Sequence, residues 1–244
     1  MMESINRRQG LAIMVTLPVC ALLRPVERVL GGWFKHYGTD GTKAMKLQPS
    51  QTNGQIALEA CIKGRRTVRS FSPDPLTGQQ FAQLLWAAQG ITDDGGIKRA
   101  APSAGALYPL DLYAVLGDGG VEDFQAGVYH YNPGPHAVSL IAKGDLRGEI
   151  ARHSLSQMWM ASPPLTLVIT AAYDRITPKY GRRGIRYAMI EAGHVGQNLF
   201  LQAQALGLSA GIVGAFKDQA IIKTLHIPPS QEPLLIMPVG HQKE

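Results

Sequence analysis

A domain that mixes strands with helices, preceded by a separate N-terminal region, is what the sequence predicts. Three observations carry that prediction. Residues 165–172 and 234–239 are apolar runs of strand length, the first rich in β-branched residues, as in strands buried on both faces. Residues 128–131 and 137–141 bracket Asn132, Pro133, Gly134 and Pro135, the pattern of a hairpin with a turn of about four residues. Residues 187–206 form the longest helix candidate, ended by Gly207.

In chain order, residues 1–23 read as a signal-like or membrane-anchor segment. Arg7 and Arg8 precede an uncharged stretch over 11–23, the plan of a basic region followed by an apolar one. As a helix that stretch spans about 20 Å, short of a bilayer core, and Pro18 interrupts it. The paired arginines resemble a twin-arginine export signal, which gives a periplasmic expectation. An uncleaved arm or an anchor touching a membrane through 11–23 is the alternative, and without a signal the chain stays cytoplasmic. Residues 24–55, broken by Gly31, Gly32, Gly38, Gly41 and Gly54, read as a linker, and 56–244 as the domain.

The domain opens with an apolar-patterned segment (Ile56, Leu58, Ala60, Ile62) that leads into Arg65, Arg66, Thr67 and Arg69. Guanidinium groups offer planar, paired donors suited to phosphate oxygens, and Thr67 adds a hydroxyl. If the stretch is extended, Arg69 reaches a different part of the same ligand. A solvated basic turn is the alternative. A helix follows Pro75, with Thr77 and Gln80 at capping-box spacing and a stripe of Phe81, Leu84, Leu85 and Ala88. Gly90 suits its end. Residues 91–100 form a polar loop. Pro102, Ser103, Ala104, Gly105 and Ala106 are mostly small and let a backbone approach a flat ligand, or simply lead into the strand at 112–116.

After the hairpin, Asp145 is expected to cap a helix running to about residue 162, stopped by Pro163 and Pro164. Lys179 and Tyr180 follow the central strand among other cations. Such a pair suits proton transfer, and a basic surface loop is the alternative. The long helix carries two apolar stripes, Ala188, Ala192, Val195, Leu199, Leu206 and Met189, Gly193, Gly196, Phe200, Ala203, as for a helix covered on more than one side or at a subunit interface. Its Glu191 and His194 read as a buried polar pair. A Gly-rich bend with a short strand over 207–216, a short helix over 221–225, the strand at 234–239 and a tail with His241 and Lys243 complete the chain.

Composition narrows the chemistry. Net charge is +6, with 24 basic and 18 acidic residues, and the basic residues gather over 65–69 and 179–186. Neither cluster alternates with aromatics as a nucleic-acid groove does, so a phosphorylated small molecule is the expected partner and nucleic acid is not. Two cysteines, Cys20 and Cys61, exclude a disulfide framework and a CxxC site. His130 and His136 flank the hairpin turn, and no metal is expected there. GxGxxG after a strand, GxxxxGK[ST] and HExxH are absent.

Over about residues 56–243 these segments resemble the FMN-dependent nitroreductase superfamily, and within it the SagB-type thiazole/oxazole (azoline) dehydrogenase branch. The resemblance implies an α+β fold with a mostly antiparallel central sheet flanked by helices, in an intertwined homodimer. It implies that Arg65, Arg66 and Thr67 hold the FMN phosphate and that Arg69 reaches the pyrimidine edge of the flavin. Pro102, Ser103 and Ala104 match the loop that covers the flavin from the partner subunit. Val213, Gly214 and Ala215 match the stretch whose backbone lies near flavin N5. His241 stands where that family usually has Arg, with Lys243 as a substitute cation. Lys179 and Tyr180 are similar to the pair that azoline dehydrogenases use for proton transfer. The implied activity is hydride transfer between a small-molecule or peptide substrate and flavin, or NAD(P)H-dependent reduction of nitro compounds or quinones. A flavin-binding protein without turnover is the alternative of another class.

Overall fold

The computed structural model describes residues 44–243. The signal-like segment 1–23 and linker residues 24–43 lie outside the described residues. Helices α1 (Leu58–Gly64), α2 (Gly78–Gln89), α3 (Arg147–His153), α4 (Thr177–Tyr180), α5 (Arg183–Ala205) and α6 (Asp218–Thr224) surround one sheet. Its strands are β1 (Met45–Lys46), β2 (Leu110–Leu116), β3 (Gly127–Asn132), β4 (Ala137–Lys143), β5 (Leu165–Ala171), β6 (Ser209–Ala210) and β7 (Glu232–Gly240). They lie in the order β1-β4-β3-β2-β5-β7-β6 with antiparallel pairing throughout, the α+β arrangement expected.

β5 sits between β2 and β7, and all of its residues are buried, which explains its unbroken apolar run. On one face of β2, Leu110, Leu112, Ala114 and Leu116 join Phe81, Leu84, Leu85 and Ala88 of α2 and Ala188, Val195, Leu199 and Ala203 of α5 in the main core. Helix α2 starts where the spacing predicts. Thr77 Oγ1 accepts the Gln80 amide and Gln80 Oε1 accepts the Thr77 amide, a complete capping box. Gly90 ends it for a different reason from the one expected. Its φ is −64°, and a Cβ there would fall 2.2 Å from Trp86 Cδ1, so close packing rather than a left-handed turn requires glycine.

Four expectations are corrected. The helix from Asp145 does not reach residue 162. Leu155 and Ser156 both take positive φ (57° and 56°), which ends α3, and a 3-10 turn at Met158–Ala161 follows. Helix α5 starts at Arg183, four residues early, because Gly184 lets its first turn press on Ile176. A Cβ there would meet Ile176 at 3.1 Å. Lys179 and Tyr180 lie on the short helix α4 rather than on a loop. Glu191 is buried, whereas His194 is exposed, so they are not a buried pair. Residues 44–51 also pack on the domain. β1 pairs with β4, Leu47 is buried, and the Gln51 amide donates to Gln83 Oε1 at 2.8 Å. A two-residue strand leaves no periodicity to read.

His130 and His136 do not meet across the hairpin. His130 Nε2 lies 3.3 Å from Asp111, and His136 bonds Tyr131 and the Gln48 carbonyl. No cluster of metal-ligating side chains occurs among the described residues. No helix among them is long and apolar enough to cross a membrane. The inner stripe of α5 is buried, but the N-terminal half of its second stripe is not: Met189 is 49% exposed and the adjacent Ile190 is 50% exposed.

Candidate active site

Residues 65–69 leave α1 as an extended segment. Arg65 has φ −58° and ψ 133°, Thr67 bridges Ala210 in parallel, and the Val68 amide donates to the Ala210 carbonyl at 3.0 Å. The chain's end runs beside it. The Ser72 amide donates to the His241 carbonyl at 2.9 Å and the Lys243 amide to the Ser70 carbonyl at 3.1 Å. Sequence segments 65–72, 209–215 and 241–243 thus form one ribbon. Val213 is anchored to Ile236 by two backbone bonds of 2.9 Å, while Gly214 and Ala215 beyond it are exposed.

Aromatic platforms line this ribbon. Arg65 Cζ lies 5.4 Å from the Phe200 ring and Arg69 Cζ 5.9 Å from the Trp159 ring. A Cβ on Gly211 would come within 2.8 Å of Trp159, so the bend is pressed against that ring. Trp159 is a residue sequence reasoning missed. It lies in a 3-10 turn with no period to announce it. Arg66 differs from its neighbours. It is exposed, and its Nη1 donates to the Lys63 and Arg65 carbonyls, closing the end of α1. Two guanidinium groups and a hydroxyl on one ribbon, beside exposed backbone at 214–215, offer donors of the kind that suit phosphate oxygens.

A second cluster forms where α4 meets the small-residue loop. Gly105 has φ +64°, and a Cβ there would lie 2.7 Å from the Tyr180 hydroxyl and 2.8 Å from Lys179 Nζ. The pair therefore rests directly on the 102–106 loop. The Tyr180 ring packs edge-on against Tyr187 of α5 at 5.2 Å. Pro102 is exposed, Ser103 and Ala104 are half-buried, and the Ser103 Oγ accepts the Tyr108 amide at 2.9 Å. Gly105→Ala is expected to displace both side-chain ends and to cost about 1 kcal/mol in backbone strain. A thermal melt should shift by only a few degrees, while any reaction that needs the pair should fall much further.

The two clusters are not brought together within one chain. Phe200 marks the first and Tyr187 the second, about 20 Å apart along the axis of α5.

Behind α4 lies a polar network that sequence reasoning also missed. Asp111 Oδ2 accepts Arg175 Nη2 and Gln231 Nε2, both at 2.7 Å, and Asp111 Oδ1 lies 3.3 Å from His130. Tyr113 and Thr170 hydroxyls donate to Gln231 Oε1. Burial disfavours the Asp111 carboxylate, but the bonds and charges of His130 and Arg175 outweigh it and hold its pKa below the usual value. Arg175 directly precedes the buried Ile176 and α4, so this network fixes the base of the Lys179–Tyr180 helix.

An antiparallel sheet under a long helix, with an Arg/Thr ribbon at one end and a Lys–Tyr pair at the other, defines the class as an α+β protein. The sequence model of the nitroreductase family matches residues 62–241, and the chain belongs to that family of oxidoreductases. It is 44% identical over 190 residues to a protein of Methanocaldococcus jannaschii assigned as a nitroreductase, covering 78% of this chain and 93% of that one. It is 30% identical over 175 residues to the microcin B17-processing protein McbC of Escherichia coli, covering 70% of this chain and 60% of McbC. A crystal structure from Ralstonia eutropha, also assigned as a nitroreductase, superposes with a TM-score of 0.70 at 25% identity, over 85% of this chain and 93% of that one.

Proposed function

We propose that the protein is an FMN-dependent oxidoreductase of the SagB-type dehydrogenase kind, acting on a small-molecule or peptide substrate as a homodimer. The observation that carries this reading is the convergence of Arg65, Thr67 and Arg69 with residues 213–215 and His241 on one ribbon. Arg65 and Thr67 would hold the phosphate, with Arg66 and Lys243 adding positive charge at the rim. Arg69 would face the pyrimidine edge, and the exposed backbone at Gly214 and Ala215 would line the ring. When bound, the flavin supplies the hydride-accepting chemistry. Tyr180 would move the accompanying proton, and Lys179 beside it would tune or share that role.

The homodimer is part of the proposal because the Lys–Tyr cluster and the Arg ribbon stand apart on α5. A second copy would bring Pro102, Ser103 and Ala104, with the pair that rests on Gly105, over the first copy's ribbon. The exposed Leu58, Ile62, Met189 and Ile190 supply apolar surface for such a contact. The similarity to a microcin-processing protein favours the dehydrogenase reading. The similarity to a protein assigned as a nitroreductase favours a second reading, NAD(P)H-dependent reduction of nitro compounds or quinones.

A visible spectrum recorded before and after anaerobic addition of NADPH tests the proposal. A flavin spectrum that bleaches supports the reductase. One that persists supports the dehydrogenase, or a flavin-binding protein without turnover. A colourless protein that takes up no added FMN overturns the assignment. Tyr180→Phe should lower substrate oxidation about 10²- to 10⁴-fold, the usual worth of a positioned acid or base, and leave nicotinamide-driven nitro reduction largely intact. Parallel rates for the two reactions in wild type and variant decide between them.

A further inference from the structure

Glu191 is a carboxylic acid kept almost entirely from water, at 2% exposure on the inner side of α5. Its Oε1 accepts one long hydrogen bond, from Gln89 Nε2 at 3.4 Å, and its Oε2 has no hydrogen-bond partner. From α2 it faces Gln89, whose own Oε1 accepts Arg99 Nη1 at 3.2 Å. From the following loop it faces the Arg99 guanidinium, which lies 4.3 Å from the Tyr108 ring and also feels Asp111 and Arg175. From the 102–109 segment the Ser103 hydroxyl favours its ionised form. On α5 itself Tyr187 and Val195 share its side, four residues away in each direction.

A buried carboxylate with one empty oxygen is costly, and protonation removes that cost. Burial pushes the Glu191 pKa up to about 7, against the opposing pull of Ser103, Gln89 and Arg99. Once ionised, Oε2 demands a donor. The Ser103 hydroxyl is near enough to favour the charge, and it can donate while its lone pair keeps the Tyr108 amide. At the loop's far end Tyr108 is buried, with its hydroxyl accepting the Arg99 amide at 3.2 Å, so the 103–107 turn is the part left loosely held. Ala106 and Tyr108 are non-glycine residues at positive φ (53° and 45°), and only short-range backbone bonds from Ala106 and Leu107 close the turn. Gly105, at its centre, carries Lys179 and Tyr180.

We propose that Glu191 is a proton-holding positioning residue. Through the Ser103 hydroxyl it tightens the 103–108 loop when ionised and loosens it when protonated, and so adjusts how Lys179 and Tyr180 sit over Gly105. The consequence for Lys179 and Tyr180 rests on the function proposed above, but the proton switch itself does not.

Residue-resolved hydrogen exchange of the full chain at pH 6 and pH 8, corrected for intrinsic rates, tests it. An ionised Glu191 accepting from the Ser103 hydroxyl holds the oxygen that accepts the Tyr108 amide more firmly than a neutral one does, enough to protect that amide about tenfold more at pH 8. Glu191→Gln should show equal protection at both pH values and lose a carboxyl band that titrates in this range by infrared spectroscopy. Ser103→Ala should lose the loop's pH response and keep the titrating band. A loop response that survives in either variant overturns the proposal, as does a titrating band that persists in Glu191→Gln. If Glu191→Gln does not fold, Ser103→Ala alone decides. Neither readout uses flavin. A colourless protein with the expected response removes the flavin reading only, and a yellow protein without it removes this one only.

Discussion

Arg65 and Thr67 changed together to alanine should release FMN while leaving the fold intact. The Arg65 guanidinium lies over the Phe200 ring, and Thr67 is pinned beside Ala210 by the parallel bridge. A hydrogen bond to a charged group contributes about 1.5–3 kcal/mol and a neutral one about 1. Losing both should weaken FMN binding about 10²- to 10³-fold. Arg66→Ala serves as the internal comparison. Its guanidinium already donates to the Lys63 and Arg65 carbonyls and stands in solvent, so its loss should cost no more than about tenfold. Titration with FMN and with riboflavin, followed by flavin fluorescence, separates phosphate recognition from ring recognition. The double variant should lose its preference for FMN over riboflavin. Equal losses for both ligands, or an equal loss in Arg66→Ala, would show that the ribbon holds phosphate in no directed way.

Asp111→Ala should unfold the protein more easily and displace α4. Removing one partner of a buried ion pair costs about 3–5 kcal/mol. Arg175 keeps a quarter of its side chain in solvent, which places the expected loss near 3 kcal/mol. The loss leaves Arg175 and Gln231 without their shared acceptor, immediately before the helix that carries Lys179 and Tyr180. A urea transition with a lower midpoint and an unchanged slope is the expected readout. The pH dependence has a definite sign. The native Asp111 pKa lies below its unfolded value, so its contribution is fully present above the unfolded value of about 3.9. It is lost as pH falls through the native value. Asp111→Asn should therefore flatten the acid limb of the stability profile, and an acid limb unchanged from wild type would assign that pH dependence to other groups.

Local chemistry made much of the fold legible. The Thr77–Gln80 capping box, the all-buried run of β5 and the turn between β3 and β4 each follow from a few neighbouring residues, and the structure has them where their spacing placed them. The failures are of one kind. The helix expected from Asp145 to residue 162 breaks at Leu155 and Ser156, whose left-handed backbone no residue type there announces. His194 shares a helical period with Glu191 but faces out, because an i, i+3 pair need not share a burial boundary. Met45 and Lys46 join the sheet through Val138 and Ala137, far along the chain.

The candidate site divides in the same way. Arg65, Thr67 and Arg69 are visible as a dense run of guanidinium and hydroxyl donors, a pattern shared by a phosphate site and a solvated basic turn. The small residues at 103–106 and the adjacent Lys179 and Tyr180 stand out only through the family resemblance, because a loop into a strand and a basic surface loop use the same residue types. The sequence alone determined which groups were available for chemistry and which stretches could build strands and helices, because propensity, capping and charge are local properties of the chain. Only the tertiary structure decided their company: that Lys179 and Tyr180 rest on Gly105, that Asp111 and Arg175 fix α4 from behind, that Trp159 and Phe200 wall the arginines, and that the two clusters stand at opposite ends of α5. Those relations depend on strand order and helix packing between residues 64 or more positions apart, where each contact is set by the closure of the whole core and not by any pattern in the neighbouring sequence.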